Sequence, residues 1–268
     1  MKFDVATFIS LWLITFLCCA LITTALSHMF TRVVAFRFWS VGFYLLAASS
    51  ACFALHFRWN YDVLLIATAT LALQSRMLIW AGTRKLFGLT APWRAGLAGT
   101  AVFCALYTCA LLLKAPLVLR AGLLVLFFLP LRAATLYEVC RRRRPQLGAA
   151  RLIAMIGGTI ATLNAIVPLL LVLLDRTNVS LLLGNPRHTS ALYAVVFAGD
   201  LLLASGLIVL AFKLQMVEMN MLATLDRNAV ERLATTRALR AERDARPARG
   251  DALGHDTPTQ RQSLPGPV

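Results

Sequence analysis

Long apolar runs alternate with short polar connections along the first 212 residues of the chain. A helix needs about twenty mainly apolar residues to cross the hydrocarbon core of a bilayer. Seven stretches meet this requirement, namely 5–26, 40–57, 63–81, 96–113, 117–139, 152–174 and 191–212. The fifth stretch contains Arg132 and Glu138, which leaves five or six spans open as alternatives. The pattern predicts an all-α, polytopic membrane bundle of about seven transmembrane helices.

The composition agrees with a membrane protein. Hydrophobic residues make up 59% of the 268 positions and the mean hydropathy is +0.72, whereas soluble domains are roughly half apolar. The formal net charge of +15 lies mostly in loops and in the carboxyl-terminal segment. This distribution predicts the lipid bilayer as a partner, with basic loops against its anionic inner leaflet. It does not favour a nucleic-acid partner, because aromatic residues are not interleaved with the arginines.

The loop charges predict an orientation. With the carboxyl end inside, the inner loops hold ten arginines and lysines and the outer segments hold six, and the chain from Lys213 adds nine on the inner side. The positive-inside rule therefore predicts a multi-pass membrane protein with its amino end outside and its carboxyl end cytoplasmic. The strongest topology anchors are in the run CRRRRPQ, namely Arg141, Arg142, Arg143 and Arg144.

Aromatic side chains fall near the predicted span ends, where amphipathic rings sit at the level of the lipid headgroups. They are Trp39, Trp59, Trp80, Trp93, Tyr61, Tyr137 and Tyr193. Their positions agree with the predicted spans.

The chain loses its apolar excess after residue 212 but keeps a helical spacing. Apolar and small residues recur there at intervals of three or four, at Leu222, Leu225, Ala229, Leu233, Thr236 and Leu239. Two interpretations remain open: a short coiled coil that makes a homodimer, or a solvated, weakly helical arm. If the arm transmits a signal, its partner is a second copy of the chain or a cytoplasmic signalling protein. We therefore divide the chain into a transmembrane domain (1–212), a cytoplasmic linker helix (213–246) and a disordered tail (247–268).

Five polar side chains lie inside predicted spans and are candidates for function. They are Gln74, Arg76, Arg132, Asn164 and Asp200. Asp200 is near mid-depth, where an isolated charge costs about 2.5–3.5 kcal/mol. Arg132 is about 7 Å from it in depth at 1.5 Å per residue, which predicts an Arg132–Asp200 ion pair. Arg76 is closer to the inner end of its span, and we expect its side chain to extend to the interface.

No catalytic motif occurs in the sequence. The six cysteines and four histidines are scattered without the spacing of a metal site, so we expect no metal and no cofactor. Gly157 and Gly158, inside the sixth span, predict close helix packing instead of a phosphate-binding loop.

Three phrases resemble a known family of membrane regions. They are RFWSVGFYLLAASSACFALH at the second span, IWAGTRKLFGLTAPW at the end of the third, and ERLATT at 231–236. Trp39 with Gly42, and the phrase from Gly82 to Phe87, are similar to phrases in the membrane input regions that precede GGDEF domains in bacterial diguanylate cyclases. ERLATT is similar to the phrase that leads into the catalytic domain. The resemblance covers roughly residues 1–236.

The resemblance implies sensing and signalling but no catalysis by this chain. After ERLATT the sequence reads RALRAERD, without the LTG, NRR or GGDEF phrases, and too few residues follow for a cyclase domain of about 160–170 residues. We therefore expect a non-catalytic membrane sensor, an orphan or truncated relative of these input regions, or one part of a split cyclase. The alternative is a small transporter that uses Asp200, Arg132 and Asn164 as a relay within the membrane.

Overall fold

The structure, a computed structural model, describes residues 5–141, 148–174 and 186–250. These ranges contain helices α1 (Val5–Met29), α2 (Val34–Trp59), α3 (Asp62–Leu86), α4 (Trp93–Leu112), α5 (Leu117–Arg141), α6 (Gly148–Leu174) and α7 (Pro186–Gly250). No strand occurs in them. The predicted all-α helical bundle is confirmed.

Each of the seven predicted spans corresponds to a helix that is long and apolar enough to cross a membrane. The fifth span, which left the number open, is a single helix from Leu117 to Arg141. Arg132 and Glu138 do not interrupt it, because both find oppositely charged partners on other helices. The described residues therefore give seven candidate spans.

Two helices extend well beyond the predicted boundaries. Helix α3 ends at Leu86, whereas the apolar run ends at 81, and Arg84 and Lys85 lie in its last turn. Basic side chains interact favourably with the carboxyl end of a helix, so the helix continues through charges at which the apolar run stops. Helix α7 begins at Pro186 instead of 191. The rest of the predicted connection, 175–185, lies outside the described residues.

Helix α3 is central in the packing. Helix α1 packs on α2, α2 on α3 and α5 on α6, while α3 also contacts α4 and α5. One apolar core is formed mainly by α1, α2, α6 and α7, and includes the fully buried Trp39 and Leu207. A second core, around Phe103, is formed by α3, α4 and α5. Helix α3 thus has neighbours on several sides.

Small residues bring α6 and α7 into backbone contact. A Cβ atom on Gly157 would collide with the backbone of Leu203, and one on Gly206 would lie 2.6 Å from the Cα of Ala154. A Cβ atom on Gly158 would lie 3.1 Å from Leu136 of α5. The predicted close packing through Gly157 and Gly158 is confirmed. Close backbone approach through small residues is a common way for helices to associate in membranes.

The outside of the bundle is apolar. Large apolar side chains are exposed on several helices, as Leu112 (77% exposed) and Leu126 (66%) illustrate. Contiguous apolar surface of this kind marks a surface that water does not cover. These helices are consistent with contact to a lipid bilayer.

The aromatic prediction holds at some positions and fails at Trp39. Trp59, Tyr61, Trp93 and Tyr137 are exposed, as rings at an interface would be. Trp39 is fully buried, so its predicted place at the headgroup level is wrong. Its ring fills the contact between α2 and α3, where a large flat side chain packs against a glycine. The Tyr193 side chain lies outside the described ones.

The chain divides into two compact units, the first ending at Leu214 and the second beginning at Gln215. We call the polar part of α7, residues 213–246, the arm; all but its first two residues belong to the second unit. Arg227 and Glu231 form an ion pair at 3.3 Å on its surface. The four leucines of its predicted stripe are all more than half exposed: Leu222, Leu225, Leu233 and Leu239. Residues 251–268 of the predicted tail and the anchors Arg142, Arg143 and Arg144 lie outside the described residues, while the Arg141 guanidinium lies 5.9 Å from the Tyr137 ring.

Candidate functional site

Three buried ionisable side chains meet between α3, α5 and α7, and we call Arg76, Arg132 and Asp200 the charge cluster. Arg76 donates a hydrogen bond from Nη2 to Asp200 Oδ2 at 2.6 Å. Arg132 Nη2 lies 3.5 Å from Asp200 Oδ1, close enough for an ion pair. All three side chains are at least nine-tenths buried. The predicted Arg132–Asp200 pair is therefore present, but Arg76 is the closer partner.

The expectation that Arg76 extends to the membrane interface is wrong. Its side chain is 8% exposed and bonded to Asp200. The error comes from the length of α3: the predicted span ends at 81, but the helix ends at Leu86, so Arg76 lies a turn deeper than the sequence indicates. There, the hydrogen bond to the buried carboxylate of Asp200 stabilises the Arg76 guanidinium more than extension of its side chain to water would.

Arg132 connects a fourth helix to the charge cluster. Its Nη1 donates a short hydrogen bond to the carbonyl oxygen of Ala161 on α6. A backbone carbonyl has two lone pairs, so Ala161 can accept this bond in addition to its bond within the helix. Arg132 is thus held by α6 and attracted by α7 at the same time.

The charge cluster is incompletely paired. One carboxylate faces two guanidinium groups, and among the described residues Asp200 Oδ1, Arg76 Nε and Arg132 Nε have no hydrogen-bond partner. The space lined by Arg76, Asp200 and Phe43 is too small to hold a water molecule. In a dry, low-dielectric interior each remaining polar atom depends on the protein for a partner. Asp200 therefore has two cationic partners within reach, Arg76 at 2.6 Å and Arg132 at 3.5 Å.

The other two intramembrane candidates make hydrogen bonds outside the charge cluster. Gln74 Oε1 accepts a bond from the Thr100 hydroxyl on α4 at 2.7 Å. Asn164 Nδ2 donates to the carbonyl of Val195 on α7 at 3.3 Å. Each bond joins two helices, so both side chains have a local role in packing. Of the five predicted residues, Arg76, Arg132 and Asp200 lie together, whereas Gln74 and Asn164 lie elsewhere in the bundle.

A second charged pair lies between α3 and α5. Arg84 Nε is 3.8 Å from Glu138 Oε1, and the Arg84 guanidinium lies 5.2 Å from the centre of the Trp80 ring. We did not predict this pair from the sequence. A signal was present, because an acidic residue near the inner end of one span predicts a basic partner near the inner end of another. With the charge cluster, it gives α3 and α5 two polar connections.

Trp39, Gly42 and Gly82 lie in the contact between α2 and α3. Trp39 Nε1 donates to the carbonyl of Ile79 at 3.1 Å. A Cβ atom on Gly82 would lie 2.5 Å from the Trp39 ring, and one on Gly42 would lie 3.3 Å from the carbonyl of Ser75. The two glycines therefore make room for the ring and for the close approach of the two helices.

No group of three or more His, Cys, Asp or Glu side chains is placed in the described ranges to hold a metal ion. The charge cluster holds two cations against one anion. Its ion pairs join α3, α5 and α7, and the bond from Arg132 to Ala161 adds α6.

Comparison with known proteins provides no relative. No protein-family model, curated protein or solved structure matches this chain. The charge cluster, the α2–α3 contact and the arm are therefore interpreted from their own geometry.

Proposed function

We propose that this chain is a membrane sensor and signalling module that transmits its signal by contact and not by catalysis. The observation that carries the proposal is that α7 supplies the buried Asp200 and also bears the exposed apolar stripe of the arm. A change in the pairing of Asp200 acts on the same helix that presents Leu233 and its neighbours. The bundle is the input in this proposal and the arm is the output.

Unequal pairing of Asp200 supports two states. The carboxylate is 2.6 Å from Arg76 and 3.5 Å from Arg132. A shift of α3 relative to α5 would shorten one distance and lengthen the other, with movement of α7. A ligand shifts such an equilibrium only if it binds one arrangement more tightly than the other.

The resemblance to the input regions of bacterial diguanylate cyclases supports the same role. Trp39, Gly42 and Gly82, which carry the resemblance, hold α2 against α3. Helix α3 in turn supplies Arg76 to the charge cluster. A signal received at α2 or α3 thus has a short physical path to α7.

The output we propose is self-association through the arm. Leucines on one face of a helix, more than half exposed in the single chain, are suited to pack against the same face of a second copy. If a cytoplasmic signalling partner covers this face instead, the photo-crosslinking experiment below detects that partner.

Photo-crosslinking from the arm tests the proposal. The full-length chain in bacterial membranes carries benzoyl-phenylalanine at Leu233, on the stripe, or at Ala238, on the opposite face. A parallel two-helix contact places the stripe residue beside its partner, so we expect a dimer band from position 233 that is at least about fivefold stronger than from 238. The yield is measured on denaturing gels.

The paired positions separate a specific contact from mere crowding in the membrane. Equal dimer yields from 233 and 238 would contradict self-association through the stripe. A product from 233 at the mass of another protein would replace the second copy by a signalling partner.

We also propose an amino-out, carboxyl-in orientation in the bacterial inner membrane, supported by the basic loops. Alkaline phosphatase is active outside the cytoplasm. A fusion after Lys114, between α4 and α5, should be active, and one after Gly88, between α3 and α4, should be inactive. The reverse pattern would overturn the orientation.

A further inference from the structure

A cleft of about 310 Å³ lies between α3, α4 and α5, on the side of α3 where Trp80 and Met77 lie. Its volume is at the lower end of the range of small-molecule sites, about 300–1,000 Å³. Residues that define it are Met77, Trp80, Gly99, Leu126, Phe127 and Pro130. A Cβ atom on Gly99 would meet nothing within 4 Å, so the missing side chain leaves real space.

The cleft opens towards the bilayer. Leu126 and Pro130 are both exposed and form its edge on α5, a helix long and apolar enough to cross a membrane. A molecule that enters there comes from the lipid and not from water. The occupant is therefore soluble in the bilayer.

The polar groups of the cleft restrict the occupant further. Trp80 Nε1 is buried and has no hydrogen-bond partner among the described residues. The Thr100 hydroxyl has a single hydrogen, which it shares between Gln74 Oε1 and the carbonyl of Gly96. Trp80 Nε1–H is thus an unused donor on a residue of the lining. A small turn of the indole towards the cleft would offer it to a ligand oxygen that only accepts, such as a carbonyl.

The rest of the lining favours a flat, neutral ring. None of the described residues that line the cleft is charged, so an ionic ligand would lose its hydration without gaining a counter-ion. Trp80 and Phe127 present aromatic surfaces, and the Met77 sulfur packs well against ring edges. A cavity of about 150 Å³ accommodates one benzene molecule, so this cleft has room for one ring with several substituents.

We propose that the cleft binds a quinone-type molecule dissolved in the bilayer, with Trp80 Nε1–H donating to a ring carbonyl. Its role as the input signal rests on the function proposed above, whereas its binding does not. The ring would lie between α3 and α5, the helices that supply Arg76 and Arg132 to Asp200. Trp80 also lies 5.2 Å from Arg84, which pairs with Glu138 of α5. A bound ring thus acts on the spacing of the two helices that compete for Asp200.

Equilibrium dialysis of the full chain in lipid nanodiscs tests the binding. The probes are radiolabelled tetramethyl-1,4-benzoquinone, whose ring carbons are fully substituted, and tetramethylbenzene, which has the same shape without oxygen. After subtraction of uptake by empty nanodiscs, we expect saturable binding of about one quinone per chain. The oxygen-free ring should bind about tenfold more weakly, because it lacks one hydrogen bond.

Two variants locate the site. Trp80→Phe keeps an aromatic ring but removes the N–H, and should weaken quinone binding about tenfold while tetramethylbenzene binding is unchanged. Gly99→Leu fills the cleft and should abolish binding of both probes. Its control is Ala98→Leu, one position along on the exposed side of α4, which should bind both probes like the unaltered chain.

Several results would overturn the site. Uptake no greater than that of empty nanodiscs would do so, as would equal affinity for the two probes. Quinone binding that survives both Trp80→Phe and Gly99→Leu would place the molecule elsewhere. If Gly99→Leu fails to fold, the Trp80→Phe comparison alone decides.

The role as an input is tested separately, through the crosslink from position 233. We expect saturating tetramethyl-1,4-benzoquinone to change its yield in the unaltered chain and to leave it unchanged in Trp80→Phe. Binding without any change in yield would overturn the role as an input while the site stands. A missing crosslink with intact binding would contradict the proposed output alone.

Discussion

Asp200 is the residue on which the charge cluster depends, because one carboxylate neutralises part of the charge on two buried guanidinium groups. Removal of one partner from a buried ion pair is costly, since the remaining charge loses its only counter-ion. Here the loss would be doubled, with Arg76 and Arg132 both left in a space without water. The two arginines are nevertheless not equivalent, since only Arg76 forms a hydrogen bond with Asp200.

We predict that Asp200→Asn destabilises the chain by about 3–5 kcal/mol. We also predict the coupling energies of two double-mutant cycles, which typically lie between about 0.5 and 3 kcal/mol. The coupling energy of Asp200→Asn with Arg76→Met should be larger than that of Asp200→Asn with Arg132→Met. Arg132 keeps its bond to the Ala161 carbonyl and therefore depends less on Asp200. The free energy of unfolding is measured by reversible denaturation in mixed micelles.

Asp62→Asn is the matched control for this series. Asp62 is exposed in the first turn of α3 and has no part in the charge cluster, so we expect only the loss of its interaction with the helix dipole, at most about 1 kcal/mol. Equal coupling energies for the two arginines would contradict the closer pairing of Arg76.

At the scale of elements, close packing of small residues joins α6 to α7, whereas ion pairs join α7 to α3 and α5. Glycines on α6 and α7 allow backbone contact, as the position of Gly157 against Leu203 shows. The charge cluster, by contrast, places two cationic partners within reach of Asp200. Helix α7 thus meets α6 through backbone contact and meets α3 and α5 through ion pairs.

We predict that Gly157→Ala destabilises the chain by about 1–3 kcal/mol, because the new methyl group meets backbone atoms, which cannot move aside as a side chain can. The control is Gly122→Ala on α5, where a Cβ atom would meet nothing within 4 Å. That substitution should be neutral or stabilising by up to about 1 kcal/mol. A neutral Gly157→Ala in the same unfolding assay would contradict the backbone contact.

At the scale of the whole molecule, the sequence predicts about seven spans, with five or six left open, and the described residues give seven candidates. The sequence does not predict which helices are neighbours. Runs of apolar residues predict spans directly, since each must match the thickness of the bilayer. The positions of Arg132 and Asp200 along their spans, at 1.5 Å per residue, then predict similar depths in the membrane. Such a count does not give the direction in which a side chain faces, which depends on how the helices pack.

Three differences between the sequence-based predictions and the structure show the same limit. The sequence puts Arg76 too close to the interface, because the apolar run ends before Arg84 and Lys85 whereas α3 continues through both. Trp39 was placed at the headgroups, although its ring lies against Gly82 within the bundle. The Arg84–Glu138 pair was missed because the sequence does not show that α3 and α5 are neighbours. All three depend on contacts between residues far apart in the sequence.

The most direct test of the central claim is the effect of Asp200→Asn on the crosslink from position 233 in bacterial membranes. Release of α7 from α3 and α5 should broaden the orientations of the arm, so we predict that the 233 dimer yield falls by at least about threefold while the yield from 238 does not fall. Asp62→Asn should leave both yields unchanged. An unaltered 233 yield in Asp200→Asn protein that is inserted and folded would contradict signalling from the charge cluster to the arm.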